Sequence, residues 1–227
     1  MILDIFLYPI LQYTPYHPKN QVRGQRLLTA AREEFIMNRR KLYLRRLVVA
    51  AMLAALALIC FDYLRLEIPI GDSTGKIYVG HTFVILAGIL LGPVYGAAVG
   101  GVGLKLSDLL TGYFTSAFPT LLAKAILGMA AGLFAGLLFH GKTELSAGKL
   151  IGKYAAVAAL STVVNVLTEP GIRYLFKIYV LKYEREVVVV ASIGCALSML
   201  VSGIASTVIV ALLAKAADML QKKYLRA

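Results

Sequence analysis

Between residues 118 and 139 a single ionisable side chain, Lys124, interrupts a run of apolar and small residues. A run of that length and polarity has two destinations, the centre of a large core or a lipid bilayer. The rest of the chain decides between them. Of its 227 residues 59% are hydrophobic and 16% charged, against about 45–50% and about 25% in soluble domains. Five more apolar blocks, 47–64, 77–91, 94–111, 151–168 and 187–214, follow the same plan. A soluble fold would leave much of this surface in water. The sequence therefore predicts an all-α integral membrane protein with six transmembrane helices in a compact bundle.

The charge supports that reading. Lys and Arg number 24 against 12 Asp and Glu, a balance that also suits nucleic acid, but the positive residues sit in short flanks between apolar blocks. Residues 1–44 are expected to be a basic cytoplasmic arm carrying Lys19, Arg23, Arg26, Arg32, Arg39, Arg40 and Lys41, residues 45–221 the membrane domain, and 222–227 a basic tail. The stretch 2–16 is apolar but broken by Asp4, Pro9 and Pro15, and fits neither a signal peptide nor a span. Met37, directly before Asn38-Arg39-Arg40-Lys41, is an alternative start. The arm, the 140–153 loop with Lys142, Lys149 and Lys153, and the tail with Lys215, Lys222, Lys223 and Arg226 fall on one face. The positive-inside rule makes that face cytoplasmic, with both termini on it. The opposite face carries residues 62–76, where Ile68-Pro69-Ile70-Gly71-Asp72 reads as extended chain with a turn, an uncharged turn over 112–117 and a mixed loop over 173–186.

Small residues indicate close helix packing. Gly128, Gly132 and Gly136 recur every fourth residue, as do Gly96 and Gly100, and the first block offers the pairs Ala50/Ala54 and Ala51/Ala55. The glycines read as intramolecular packing. The alanines fit either that or docking of a separate membrane protein. Cys60 and Cys195 lie in apolar blocks and read as packing thiols, with no metal or disulfide pattern.

Ionisable and polar groups inside the blocks are expensive in lipid and face a cavity or a partner. His81 opens the second block, Lys105 and Asp108 close the third, and Lys124 lies about two turns into the fourth. Ser161, Asn165, Glu169 and Arg173 form a four-residue ladder on the fifth block, and Ser198, Ser202 and Ser206 another on the sixth. The charged members all belong to the outer halves of the blocks. The pattern suits a pocket open outside and sealed inside, not a channel lined along its whole length. Plainer roles stay open: local ion pairs for Lys105 with Asp108 and Glu169 with Arg173, a helix-end group for His81, helix glue for the serines. Lys124 shares a ridge with Gly128 and either snorkels or pairs with Asp108 or Glu169. Tyr63, Tyr78, Tyr113, Phe114, Phe118 and Tyr174 ring the same mouth as an interfacial belt or as stacking surfaces.

No phosphate loop, HExxH, GxSxG or paired magnesium-binding aspartates occur, and His17, His81 and His140 are far apart. The chain reads as no enzyme, and uphill transport would need a partner or an ion gradient.

Gly80-His81-Thr82, Leu91-Gly92-Pro93-Val94-Tyr95-Gly96-Ala97, Gly100-Gly101-Val102-Gly103 followed by Leu106-Ser107-Asp108-Leu109-Leu110-Thr111-Gly112-Tyr113, and Thr120-Leu121-Leu122-Ala123-Lys124-Ala125-Ile126-Leu127-Gly128 resemble the S components of energy-coupling factor (ECF) transporters. The likeness spans residues 45–221, is strongest over 80–136, and is nearest to the riboflavin-type subgroup. It implies a subunit in a prokaryotic cell membrane that captures a vitamin or related micronutrient from outside. Delivery inward would use a T component and two cytoplasmic ATPases, without a cofactor. It further implies T-component contact through Ala50, Ala51, Ala54 and Ala55. A substrate site beneath the outer loop would draw on His81, Asp108, Tyr113, Lys124, Asn165, Glu169, Arg173 and Ser198. His81 and Lys105 depart from the usual pattern, and with Lys124 and Arg173 they incline the expected ligand toward an anion. A stand-alone secondary carrier, which should show internal repeats that the sequence lacks, and a non-transport scaffold are the competing readings.

Overall fold

The computed structural model describes residues 18–70, 73–139 and 146–225, with side chains over 32–64, 77–139 and 146–223. The apolar stretch 2–16, His17, Gly71, Asp72, His140, Lys142 and Arg226 lie outside the described residues. Two compact units are separated between Leu44 and Arg45. Helix α1 (Pro18–Tyr63) begins in the first and ends in the second. Within the first unit the Arg39 guanidinium lies 4.8 Å from the centre of the Phe35 ring.

The second unit continues with strands β1 (Arg65–Ile70) and β2 (Ser73–Tyr78), then α2 (His81–Leu91), α3 (Pro93–Ala98), a π-helical turn (Val99–Gly103), α4 (Leu104–Leu110), α5 (Ala117–Leu138), α6 (Ala147–Tyr179) and α7 (Arg185–Leu220). Within this otherwise helical unit, β1 includes the Ile68-Pro69-Ile70 stretch read from the sequence as extended chain. The strands pair antiparallel, Arg65 opposite Tyr78 and Ile70 opposite Ser73, because Pro69 and the β-branched Ile68 and Ile70 disfavour helix and favour extended chain.

Among the described residues, four helical stretches are long and apolar enough to cross a membrane: Arg32–Tyr63, Ala117–Leu138, Ala147–Tyr179 and Arg185–Lys223. The second block is shorter. Helix α2 has 11 residues, about 16 Å of rise against a hydrocarbon core of about 30 Å. Gly92, at φ 93°, turns the chain in a conformation costly for any residue with a Cβ, and Pro93 starts α3 at the first helical position. Helix α6 is longer than expected. It runs through Pro170 to Tyr179, so the stretch after Arg173 read as loop is helical. Glu169 and Arg173 are bonded across that proline, holding the turn where a ladder hydrogen bond is missing.

Glycines set the packing. A Cβ on Gly128 would fall on the backbone of Gly96, one on Gly132 on Pro93, and one on Gly100 on the Lys124 carbonyl. The reversed order of these contacts makes α5 antiparallel to the α3–α4 run. Gly88 brings α2 against the same face, where a Cβ would meet the Gly128 carbonyl at 2.6 Å and Ala131 at 2.7 Å. Helix α6 runs back along α5: Arg173 reaches Thr120, Glu169 reaches Lys124, and Lys153 donates to the Leu138 carbonyl. One end of the unit is thus apolar, built from Leu90, Leu91, Ala131, Ala135, Leu150, Tyr154, Val210 and Ala214. Buried His81, Asp108, Thr120, Lys124, Glu169 and Ser198 gather toward the other.

Candidate functional site

The polar end holds a cavity of about 540 Å³. Its walls come from the end of α1 (Phe61, Asp62), β2 (Tyr78), α4 and the turn after it (Asp108, Thr111, Tyr113, Ser116), the second half of α6 (Glu169, Arg173, Lys177) and the first half of α7 (Ser192, Cys195, Ser198, Met199). Phe61 and Tyr78 form its aromatic wall. Tyr78 is fixed twice, by that stack and by its backbone N–H, which donates to Ser202 Oγ at 2.9 Å.

The acidic side groups are held by hydroxyls. Ser107 Oγ donates to Asp62 Oδ1, joining α4 to α1, and Ser116 Oγ donates to Asp108 Oδ2 at 3.2 Å. Asp108 therefore takes its bond from Ser116 rather than from Lys105, one turn back on its own helix. The Lys105–Asp108 pair that the spacing left open does not occur among the described ion pairs.

Beneath the cavity lies a chain of charges. Lys124 Nζ donates to Glu169 Oε2 and to His81 Nε2, the latter at 2.6 Å, with Met199 Sδ at 3.6 Å. Since an ammonium only donates, Nε2 is the acceptor and the imidazole proton is assigned to Nδ1. Glu169 Oε1 accepts from Arg173 Nε at 3.2 Å and Nη2 at 3.1 Å, and Nη2 also donates to Thr120 Oγ1 at 3.1 Å. Lys124 and Glu169 are 0% and 1% exposed, Arg173 24%. The ionic partner of Lys124 is thus Glu169, not Asp108 and not the lipid headgroups.

Of the eight residues expected at a substrate site, Asp108, Tyr113, Glu169, Arg173 and Ser198 line the cavity. His81, Lys124 and Asn165 are buried behind it. The first two are bonded to each other, and Lys124 also to Glu169. Asn165 lies one helical turn from Glu169, and its Oδ1 has no hydrogen-bond partner among the described residues. Phe61, Asp62 and Lys177 were not among the expected contacts. Lys177 extends the Glu169–Arg173 ladder by one more turn, a signal that the loop assignment after Arg173 concealed. Of the aromatic ring at the mouth, Tyr78 and Tyr113 reach the cavity, whereas Tyr63, Phe114 and Phe118 are more than half exposed.

The alanine face divides. Ala50 is buried in the core and Ala54 half-buried, close to Gly103, while Ala51 and Ala55 are exposed. At about 100° per residue the four alanines span a broad arc of the helix, one edge of which is packed against the rest of the unit and the other exposed. Of the four alanines expected on a docking face, only Ala51 and Ala55 are exposed.

The family model of the ECF-type riboflavin transporter S component matches residues 41–216. This chain belongs to that family. It is a multi-pass membrane protein and a transport subunit. The S component is also similar to a protein of Pyrococcus woesei, described as an uncharacterized protein in a gap 3′ region, with 35% identity over 106 residues that cover 46% of this chain and 70% of the relative.

Proposed function

We propose that this S component captures a vitamin-like small molecule from outside a prokaryotic cell and releases it inward with a T component and two cytoplasmic ATPases. The observation that carries the reading is the cavity of about 540 Å³ at one end of the helices. Its size lies within the range of about 300–1,000 Å³ common for small-molecule sites, and it mixes a flat aromatic wall with fixed charges. The opposite end is apolar and flanked by Lys149, Lys153, Lys215, Lys222 and Lys223, which favours a cytoplasmic position for that end and for both termini. Exposed Ala51 and Ala55 on α1 offer small-residue contacts to the T component.

Riboflavin is the first ligand to test, because the family bears its name and a fused flat ring suits the Phe61–Tyr78 wall. The full chain, purified in detergent, is titrated into riboflavin while its fluorescence is followed, and any ligand retained from the host is identified by mass spectrometry. Saturable quenching, or a retained micronutrient, supports the reading. A protein that neither binds riboflavin, nor retains a small molecule, nor is stabilised by any vitamin tested would overturn it.

A further inference from the structure

The charges beneath the cavity carry an inference that rests on the capture reading and concerns how the ligand is held. Lys124 has three N–H groups, and Glu169 Oε2, His81 Nε2 and Met199 Sδ stand around them. The side chain is fully buried and forms no part of the cavity wall. It has nothing left for a ligand. It instead fixes Oε2 of Glu169, and the other oxygen of the same carboxylate takes both Nε and Nη2 of Arg173. Thr120 engages Nη2 from α5. A guanidinium has five N–H donors in a rigid plane, and these contacts leave Nη1 as the edge that no described residue engages. Arg173 lines the cavity and is the only member of the chain with appreciable exposure.

We propose that Arg173 anchors the ligand through Nη1 by donating to an acceptor group on it, a carbonyl pair, carboxylate or phosphate, and that Lys124 is a positioning residue that sets the direction of this donor through Glu169. A carboxylate held on both oxygens cannot rotate, so the guanidinium plane it clamps is oriented before the ligand arrives. The plane is also bonded to two helices, α6 through Glu169 and α5 through Thr120. Lys124 ties the arrangement to α2 through His81 and to α7 through Met199. The lone lysine of the fourth apolar block thereby acts on the ligand at one remove.

The test is a double-mutant cycle on the full chain with riboflavin as the probe, read by fluorescence quenching. Arg173→Met and Lys124→Met are each expected to weaken binding at least about tenfold. In the Arg173→Met background, Lys124→Met should change affinity by less than about twofold, because the group it orients is gone. A purely structural lysine would weaken binding by the same factor in both backgrounds, and that result overturns the inference, as does an Arg173→Met protein that binds like the wild type. Should Lys124→Met fail to yield monodisperse protein, His81→Gln removes one partner of the ammonium and keeps the ion pair. Its cycle with Arg173→Met is expected to show the same loss of effect from a start of about threefold, and equal effects in both backgrounds again overturn the inference. If the wild type binds another vitamin instead, the same cycle is read with that vitamin as the probe, and a wild type that binds, retains and is stabilised by none removes the capture reading and this inference with it. Binding without coupling removes the inference alone.

Discussion

Phe61 and Tyr78 lie face to face, ring centroids 4.1 Å apart and planes 6° from parallel. One ring ends a membrane helix and the other ends a strand of the adjoining hairpin, so their contact joins the two elements into a single wall of the cavity. Aromatic pairs contribute about 0.5–1.5 kcal/mol beyond the area they bury. Phe61→Leu, which keeps the volume apolar but removes the flat surface, is expected to weaken riboflavin binding about tenfold. Thermal stability without ligand should fall by only a few degrees. Equal binding by wild type and variant would show that the wall does not stack on the ligand.

Tyr113 lines the same cavity but is 46% exposed. Tyr113→Ala distinguishes a recognition surface from an interfacial belt, since a belt residue leaves affinity nearly unchanged. A loss of about fivefold in the fluorescence titration is expected.

Glycine spacing predicts a sharp contrast within one helix. Gly128→Ala would drive a methyl group into the Gly96 backbone, which has no side chain to yield, whereas a Cβ on Gly136 meets nothing within 4 Å. The first substitution is expected to cost about 3 kcal/mol and to lower the melting temperature in detergent markedly. Gly136→Ala should be neutral or slightly stabilising, because alanine gives up less backbone freedom in a helix. Similar behaviour of the two would contradict the packing described.

The buried charges are asymmetric. Glu169 has two cationic partners, Lys124 and Arg173, but Glu169 is the sole ionic partner of Lys124 among the described residues. Removing the carboxylate strands two cations, and breaking a buried pair this way costs about 3–5 kcal/mol. Removing the lysine leaves the carboxylate still paired. Glu169→Gln is therefore expected to destabilise the ligand-free protein more than Lys124→Met, as measured by melting in detergent. The reverse order would refute the pairing.

Much of this architecture was legible from the chain alone. Residues 118–139 had one charge and a glycine every fourth position, and α5 spans Ala117–Leu138. Gly92-Pro93 marked the break between α2 and α3 for local steric reasons, and Pro69 marked the extended chain. The four-residue spacing of Glu169 and Arg173 placed them on one helical face, where they bond. What sequence left open were contacts between distant segments. The partner of Lys124 lies 45 positions away, and either Asp108 or Glu169 satisfied its chemistry until the helices were packed. Phe61 gave no signal apart from its apolarity, because its role comes from the hairpin folding over it. The extension of α6 beyond Pro170 was hidden by a residue that usually ends helices.

The alanines of α1 differ in exposure. Ala55→Leu adds bulk to an exposed site and is expected to reduce co-purification with a T component while leaving riboflavin affinity unchanged. Ala50→Leu overfills the core and should lower the stability of the isolated subunit. A variant at Ala55 that assembles normally would move the docking surface elsewhere.

Lys124 is sealed from solvent with its ammonium enclosed by three neighbours. Acylation of a lysine requires a free amine lone pair and a path for the reagent, and this residue offers neither while the helices stay packed. Treatment of the intact protein with an amine-reactive reagent should tag the half-exposed Lys177 and spare Lys124, so appearance of the label at Lys124 would serve as a chemical clock for opening of the bundle.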